Sequence, residues 1–308
     1  MGTFQGLLGI KKALSTLNPK QVRELSERSL RIALNAASPE GYQRMENFFL
    51  RDLSPARRRE SSYSLTRGAA IGGNYDLVIY DEGLPAPTHA LVFEHHCPQH
   101  IVSRVLDKHY DLGVPLARSF LPFRRPFIER VIAKTARENT MFSITTALPD
   151  VIPNLIELPW AVAEFASDTA FLTMNQVRMA FIIAAASDRE VGYLEQKPEI
   201  ATVVGSAFGW RALARQLVGK VPFGGGLIAK AGIAYAGTKV LGLSLDHYYS
   251  VGFTYTRAER DRLYAEAFRQ GKKVAQRILS YLRPDVAAKF AAQAAQSIPA
   301  PALTQPRR

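Results

Sequence analysis

A chain of 308 residues with 47% hydrophobic and 21% charged residues can bury a full core and is too apolar for wholesale disorder. Its mean hydropathy of −0.06 excludes a protein built mainly of membrane spans. The 39 basic and 27 acidic residues leave a net charge of +12, which favours anionic partners, and the lone Cys97 excludes an intramolecular disulfide.

In chain order, residues 1–17 place Phe4, Leu7, Leu8, Leu14 and Leu17 beside Lys11 and Lys12 as a short amphipathic helix. Such a helix suits either a membrane surface or a place against its own domain. The segment lacks the long apolar core of a signal peptide. Asn18-Pro19 spells an N-cap followed by proline at the first helical position, predicting a helix over residues 19–28. Residues 30–35 predict a strand, and Ser38-Pro39-Glu40 caps a second helix carrying Met45, Phe48, Phe49 and Leu50. The stretch 54–74, rich in Arg, Ser and Gly, reads as a loop. Residues 75–80 and 90–94 are apolar, β-branched and bounded by turn residues, as strands are.

From Ile101 onward the pattern is helical. Helices are expected over 125–136, 168–185, 209–218 and 226–249, with a proline-punctuated apolar connection at 147–160. The helix at 168–185 is apolar over most of its circumference, which predicts burial. Thr256-Arg257-Ala258-Glu259 is a capping box that opens a charged helix to about Leu282. The prolines after Ser297 predict a disordered tail at 298–308.

The strand at 30–35 followed by Ala36, Gly41, Tyr42 and Gln43 has the order of strand, phosphate loop and helix that opens a GTPase domain. A working phosphate loop needs a lysine and a hydroxyl where Tyr42 and Gln43 stand. Asp81-Glu82-Gly83 has the wrong spacing for the second motif, and no guanine-reading motif follows. Either a degenerate nucleotide-binding remnant or an unrelated small α/β region fits. Glu94-His95-His96-Cys97-Pro98-Gln99-His100 sets His96 and His100 four apart, a metal-ligand spacing on a helix. Pro98 interrupts that helix, so a polar strand-end loop is the plainer reading. No Gly-x-Ser-x-Gly or other intact catalytic motif is present, and no catalytic residue, metal or cofactor is expected.

Between residues 225 and 240 the small residues Gly225, Ala229, Gly232 and Ala236 recur at i, i+4, i+7 and i+11. That spacing forms one smooth stripe on a helix and permits close helix–helix approach. Lys230 and Lys239 interrupt the apolar run; each costs about 2.5–3.5 kcal/mol at a bilayer centre, which disfavours a simple span. A tight hairpin with residues 202–217 is expected instead.

Asn175-Gln176-Val177-Arg178, Ala184-Ala185-Ala186, Val203-Val204-Gly205, Gly209-Trp210-Arg211 and Ile233-Ala234-Tyr235-Ala236-Gly237-Thr238 arrive in an order that resembles the family called domain of unknown function 697. The match covers about 169–249. Members of that family stand behind GTPase domains or in bacterial inner-membrane proteins, and residues 136–139 with 147–153 resemble the linker of such fusions. The resemblance implies a bacterial protein and supplies no catalytic residue.

The sequence therefore predicts an α+β chain, mainly α. An amphipathic helix (1–17) precedes a degenerate GTPase-like α/β region (18–135), an apolar helical module (136–255), charged C-terminal helices (256–297) and a tail (298–308). The expected function is a non-enzymatic adaptor or regulator in the bacterial cytoplasm, peripheral to the inner membrane. It would bind an anionic membrane surface or partner helices, with a GTPase as one partner. A metal-dependent enzyme built on residues 94–100 and a nucleic-acid-binding protein are the rival readings.

Overall fold

The structure, a computed structural model, describes residues 14–15, 17–70, 73–147, 168–204, 225–282 and 284. The expected helices at 1–17 and 209–218, the connection at 147–160 and the C-terminal tail lie outside the described residues, wholly or nearly so.

The described chain is mainly helical, with one four-stranded parallel sheet. Its first part contains α1 (Pro19–Glu27), β1 (Ile32–Asn35), α2 (Pro39–Phe49), α3 (Pro55–Ser62), β2 (Leu65–Arg67), β3 (Leu77–Asp81), β4 (Leu91–Phe93) and α4 (Gln99–Lys108). After a 3-10 turn (Tyr110–Leu112) come α5 (Gly113–Ser119) and the long helices α6 (Leu121–Thr145), α7 (Asp168–Ala186), α8 (Gly225–Val251) and α9 (Arg257–Leu282). Three of the first helices start alike. The side chains of Asn18, Ser38 and Ser54 accept from the backbone N–H groups of Lys20, Gly41 and Arg57, and Pro19, Pro39 and Pro55 follow directly. Each cap satisfies a first-turn amide that has no partner inside the helix.

The third of these helices, with β2, corrects the loop expected at 54–74. Helix α3 reads Pro-Ala-Arg-Arg-Arg-Glu-Ser-Ser and buries only Ser61, so it carries no apolar stripe to announce it. Strand β2 has three residues, of which only Leu65 faces the core.

The strands run in the order β2-β1-β3-β4. Ile32 stands between Leu65 and Leu77, and Asp81 pairs with Phe93. The chain leaves β1 toward one side and returns on the other, which puts a topological switch point at the carboxyl ends of β1 and β3. Parallel neighbours β3 and β4 are joined through residues 82–90 alone, with left-handed backbone at Gly83 (φ 85°) and His89 (φ 66°). Crossovers between parallel strands ordinarily need a dozen or more residues.

Ile32, Leu34 and Ile79 are fully buried, together with Met45, Phe49, Phe120 and Phe123. Phe49 meets Phe120 edge-on at 5.3 Å and Phe123 at 5.6 Å. Burying one such ring contributes about 1.5–3 kcal/mol, so this cluster fixes α2 and the start of α6 onto each other. One continuous apolar core runs from Val22 through the sheet to Val177, Phe181, Leu241 and Leu245. The expected boundary at residues 135/136 accordingly falls inside α6, a helix that packs on elements of both regions.

Candidate functional site

Two places concentrate chemistry: the carboxyl ends of the strands, and the seam among α6, α7, α8 and α9.

At the strand ends, β3 delivers Asp81 against the first turn of α2. The Asp81 residue is only 7% exposed. A methyl group placed on Gly41 would collide with its Oδ2. That space, above the amino end of a helix following the first strand, is where a phosphate is cradled in a nucleotide-binding domain. Here a carboxylate of the chain fills it, in a position the helix dipole favours. The Gly41 N–H is already committed to Ser38 Oγ at 3.1 Å. Across β1, Asn35 Oδ1 accepts from Ala69 N–H at 2.7 Å and ties down the residues that follow β2.

The histidine cluster lies beside this point. His95 Nε2 is 2.5 Å from Asp81 Oδ1, a close polar contact not aligned as a hydrogen bond. The backbone N–H of His95 donates to Glu82 Oε2 at 3.1 Å. His100, in the first turn of α4, pairs through Nδ1 with Glu94 Oε2 at 2.9 Å, and that hydrogen bond holds the Glu94 carboxyl below the usual range. His96 is exposed and stands 3.7 Å from Glu82 and 3.8 Å from Glu94. Helix α4 begins only after Pro98, so His96 and His100 do not share a helical face. Among the described residues, no group of three or more His, Cys, Asp or Glu side chains is arranged to hold a metal ion. A carboxylate–imidazole pair is the orienting half of an acid–base relay. Among the described hydrogen bonds, none joins His95 to a serine, threonine or cysteine to complete one.

The stripe foreseen in 225–240 is a packing surface in part, and its partner among the described residues is α9. Gly232 and Ala236 lie in the contact, Ala229 is half-buried, and the side of Gly225 is outside the described residues. Opposite them stand Ala267, Gly271, Ala275 and Leu279, one residue per turn of α9. A methyl group on Gly271 would sit 2.8 Å from the Gly232 carbonyl oxygen, so the two backbones nearly touch. The expected hairpin with 202–217 involves residues mostly outside those described.

On its other side α8 meets a buried polar network. Asn139 Nδ2 donates to Thr238 Oγ1 at 2.8 Å, Gln176 Nε2 donates to the same oxygen at 3.0 Å, and Asn175 Nδ2 donates to Asn139 Oδ1 at 2.9 Å. Thr238 Oγ1 in turn donates to the Ala234 carbonyl at 2.8 Å. Four side chains from three helices thus satisfy one another, which fixes the helices in one register. Sequence reading met Asn175, Gln176 and Thr238 only as parts of a family pattern and gave them no contact, because a polar group inside an apolar helix shows its role only when its partner helix is in place.

A third feature joins the two regions. Asp188, just after α7 and in left-handed backbone (φ 58°), receives Arg57 at 2.9 Å from α3 and Arg118 at 3.0 Å from α5. These arginines line a polar cleft of about 420 Å³ with Arg28, Ser26 and Ser61, and their charge is spent on Asp188 and Glu60.

Compared with family models, with curated proteins and with solved structures, the chain gives no match. The functional reading accordingly rests on this geometry.

The geometry carries a direct expectation for nucleotide. A fluorescent GTP analogue titrated with magnesium should show no saturable binding up to about 100 µM, because Asp81 would repel the phosphates and lysine is missing at Tyr42. Micromolar, magnesium-dependent binding would overturn this.

Proposed function

We propose that this chain is a non-enzymatic, membrane-peripheral adaptor: a small α/β unit without phosphate chemistry, fused through α6 to a helical module that engages anionic surface and partner helices. The single observation that carries the non-enzymatic part is Asp81 standing against Gly41, in the space a phosphate would need. The bacterial inner-membrane setting and the GTPase partner belong to the same proposal and come only from the sequence resemblance read in residues 169–249, which no family model matches.

The membrane part follows from charge and exposure together. No helix among the described residues is long and apolar enough to cross a membrane. The apolar faces of α7 and α8 are covered by α6, α9 and each other, while Tyr248, Val251 and Phe253 stay exposed around the α8–α9 turn. Contact with lipid is therefore led by the charge of +12. Co-sedimentation with vesicles containing anionic lipid should be strong in 0.1 M salt and fall at least about tenfold in 1 M salt, where the Debye length shrinks from roughly 10 to roughly 3 Å. Undiminished binding in 1 M salt would show that the apolar helices open onto the bilayer. No binding at low salt would defeat the membrane-peripheral reading.

A further inference from the structure

Helix α9 is amphipathic in an unusual sense: one face is a seam of small residues and the other is basic. At about 100° per residue, Ala267, Gly271, Ala275 and Leu279 form the buried face, and Arg262, Arg269, Lys273 and Arg277 fall within an arc of about 80° centred on the opposite side. All four basic residues are exposed, and among the described residues none of them forms a salt bridge, while Arg262 lies near enough to Glu259 to add to the lowering of that carboxyl's pKa by its hydrogen bonds with Thr256. Glu259 and Glu266 are the acids on that side, and from Arg269 to Leu282 the helix has four basic residues and no acidic one. Elsewhere some arginines are paired, as Arg125 is with Glu129 at 3.0 Å and Arg130 with Asp107 at 2.6 Å, while Arg44 and Arg59 stand without a salt bridge among the described residues, on separate helices. A run of unpaired cations on a folded surface is repulsive unless an external anion answers it.

The ridge is about 22 Å long from Arg262 to Arg277, at roughly 1.5 Å per residue. It stands on the outside of the bundle, because α9 is held lengthwise against α8 by the close contact at Gly271 and Gly232. Aromatic side chains bracket it: Phe253, 66% exposed, precedes the helix, and Tyr281, 88% exposed, lies near its end. Rings of this kind settle at the headgroup level of a bilayer.

We infer that the outer face of α9 is the membrane-contacting surface of this protein, with Arg262, Arg269, Lys273 and Arg277 laid along the phosphates of anionic phospholipid. The inference rests on the membrane-peripheral reading and assigns it to one face of one helix. An exposed basic ridge with exposed aromatics at its ends suits an anionic lipid surface. A nucleic-acid duplex is the competing anionic occupant, and it is an outcome of the test.

The test is co-sedimentation of the full chain with vesicles of phosphatidylglycerol and phosphatidylcholine in 0.15 M salt, against phosphatidylcholine alone. The ridge variant is Arg269→Ala/Lys273→Ala/Arg277→Ala. The control, Lys20→Ala/Arg44→Ala/Arg59→Ala, removes the same charge from exposed positions on α1, α2 and α3. One basic residue at a lipid surface is worth about fivefold in affinity, so the ridge variant should bind the anionic vesicles on the order of 100-fold more weakly. The control should stay within about fivefold of wild type, since charges beyond the Debye length of about 8 Å are screened. Both variants should melt with the wild type, which shows that the loss is not unfolding. Equal weakening of both variants, or of neither, overturns the ridge and leaves the membrane-peripheral reading standing. Failure of the wild-type chain to bind any vesicle overturns that reading as well. If a DNA duplex binds more tightly than the vesicles and through the same three residues, the ridge belongs to nucleic acid and the lipid assignment is wrong.

Discussion

Gly271→Leu should lower the thermal unfolding midpoint by roughly 5 °C or more, corresponding to about 3 kcal/mol or more. The glycine faces backbone. A β-carbon there meets the carbonyl oxygen of Gly232 and the Cβ of Tyr235, both at 2.8 Å, and neither is the movable end of a side chain. Relief requires α8 and α9 to part, which uncovers Ala236, Val240 and Ala267 along their contact. Gly232→Leu meets Lys272 Cγ and Phe268 Cε2 at 3.1 Å, atoms that can swing aside, so its penalty should be smaller, about 1–3 kcal/mol. Arg260→Ala, at an exposed position in the first turn of α9, should stay within about 0.5 kcal/mol. Differential scanning of the three variants ranks them; equal midpoints for all three would mean that α8 and α9 do not approach in this way.

The polar network gives an effect of similar size by a different route. Asn139 and Thr238 are fully buried, and each joins the other to a third helix residue. Asn139→Leu removes the acceptor of Asn175 and a donor to Thr238 while adding an apolar side chain where the amide stood. A buried group left without its partner costs about 1–3 kcal/mol, so the variant should lose about 2–4 kcal/mol. In the pair Asn139→Leu/Thr238→Val the direct bond is absent on both sides, and the losses should fall short of additive by at least about 0.5 kcal/mol. Chemical denaturation of the two single variants and the double variant measures this. Strict additivity would mean that the two side chains do not interact.

What the sequence disclosed, it disclosed through local chemistry. Asn18-Pro19 and Ser38-Pro39 marked two helices correctly, and Ser54-Pro55 carried the same signal for α3, masked by three successive arginines that suggested a loop. The capping box is formed as spelled: Thr256 N–H donates to Glu259 Oε2 at 2.8 Å, and Glu259 N–H donates to Thr256 Oγ1 at 3.3 Å. The helix expected at 125–136 runs from Leu121 to Thr145, with Pro126 inside it. Spacing alone identified a close-packing stripe near Gly232 without identifying what packs on it. The complementary stripe was present at Ala267, Gly271, Ala275 and Leu279, hidden in a helix whose composition is dominated by charge. At the strand ends the sequence showed that lysine and hydroxyl were missing. That Asp81 takes up the vacated volume follows from β3 lying beside β1, and no local pattern encodes the order of strands.

Helix α6 has one further consequence. Its first turns are clamped in the phenylalanine cluster at Phe49, and its last turns carry Asn139 and the stacked pair of Phe142 with Phe171, 4.0 Å apart. No flexible tether intervenes along its 25 residues, a rod of about 37 Å. The two ends of the molecule are therefore coupled as the arms of a lever. If the outer ridge of α9 rests on a bilayer, the tilt of that resting position is delivered undamped to the sheet, and the strand-end cluster of Asp81 and His95 is held at a fixed height and orientation above the lipid.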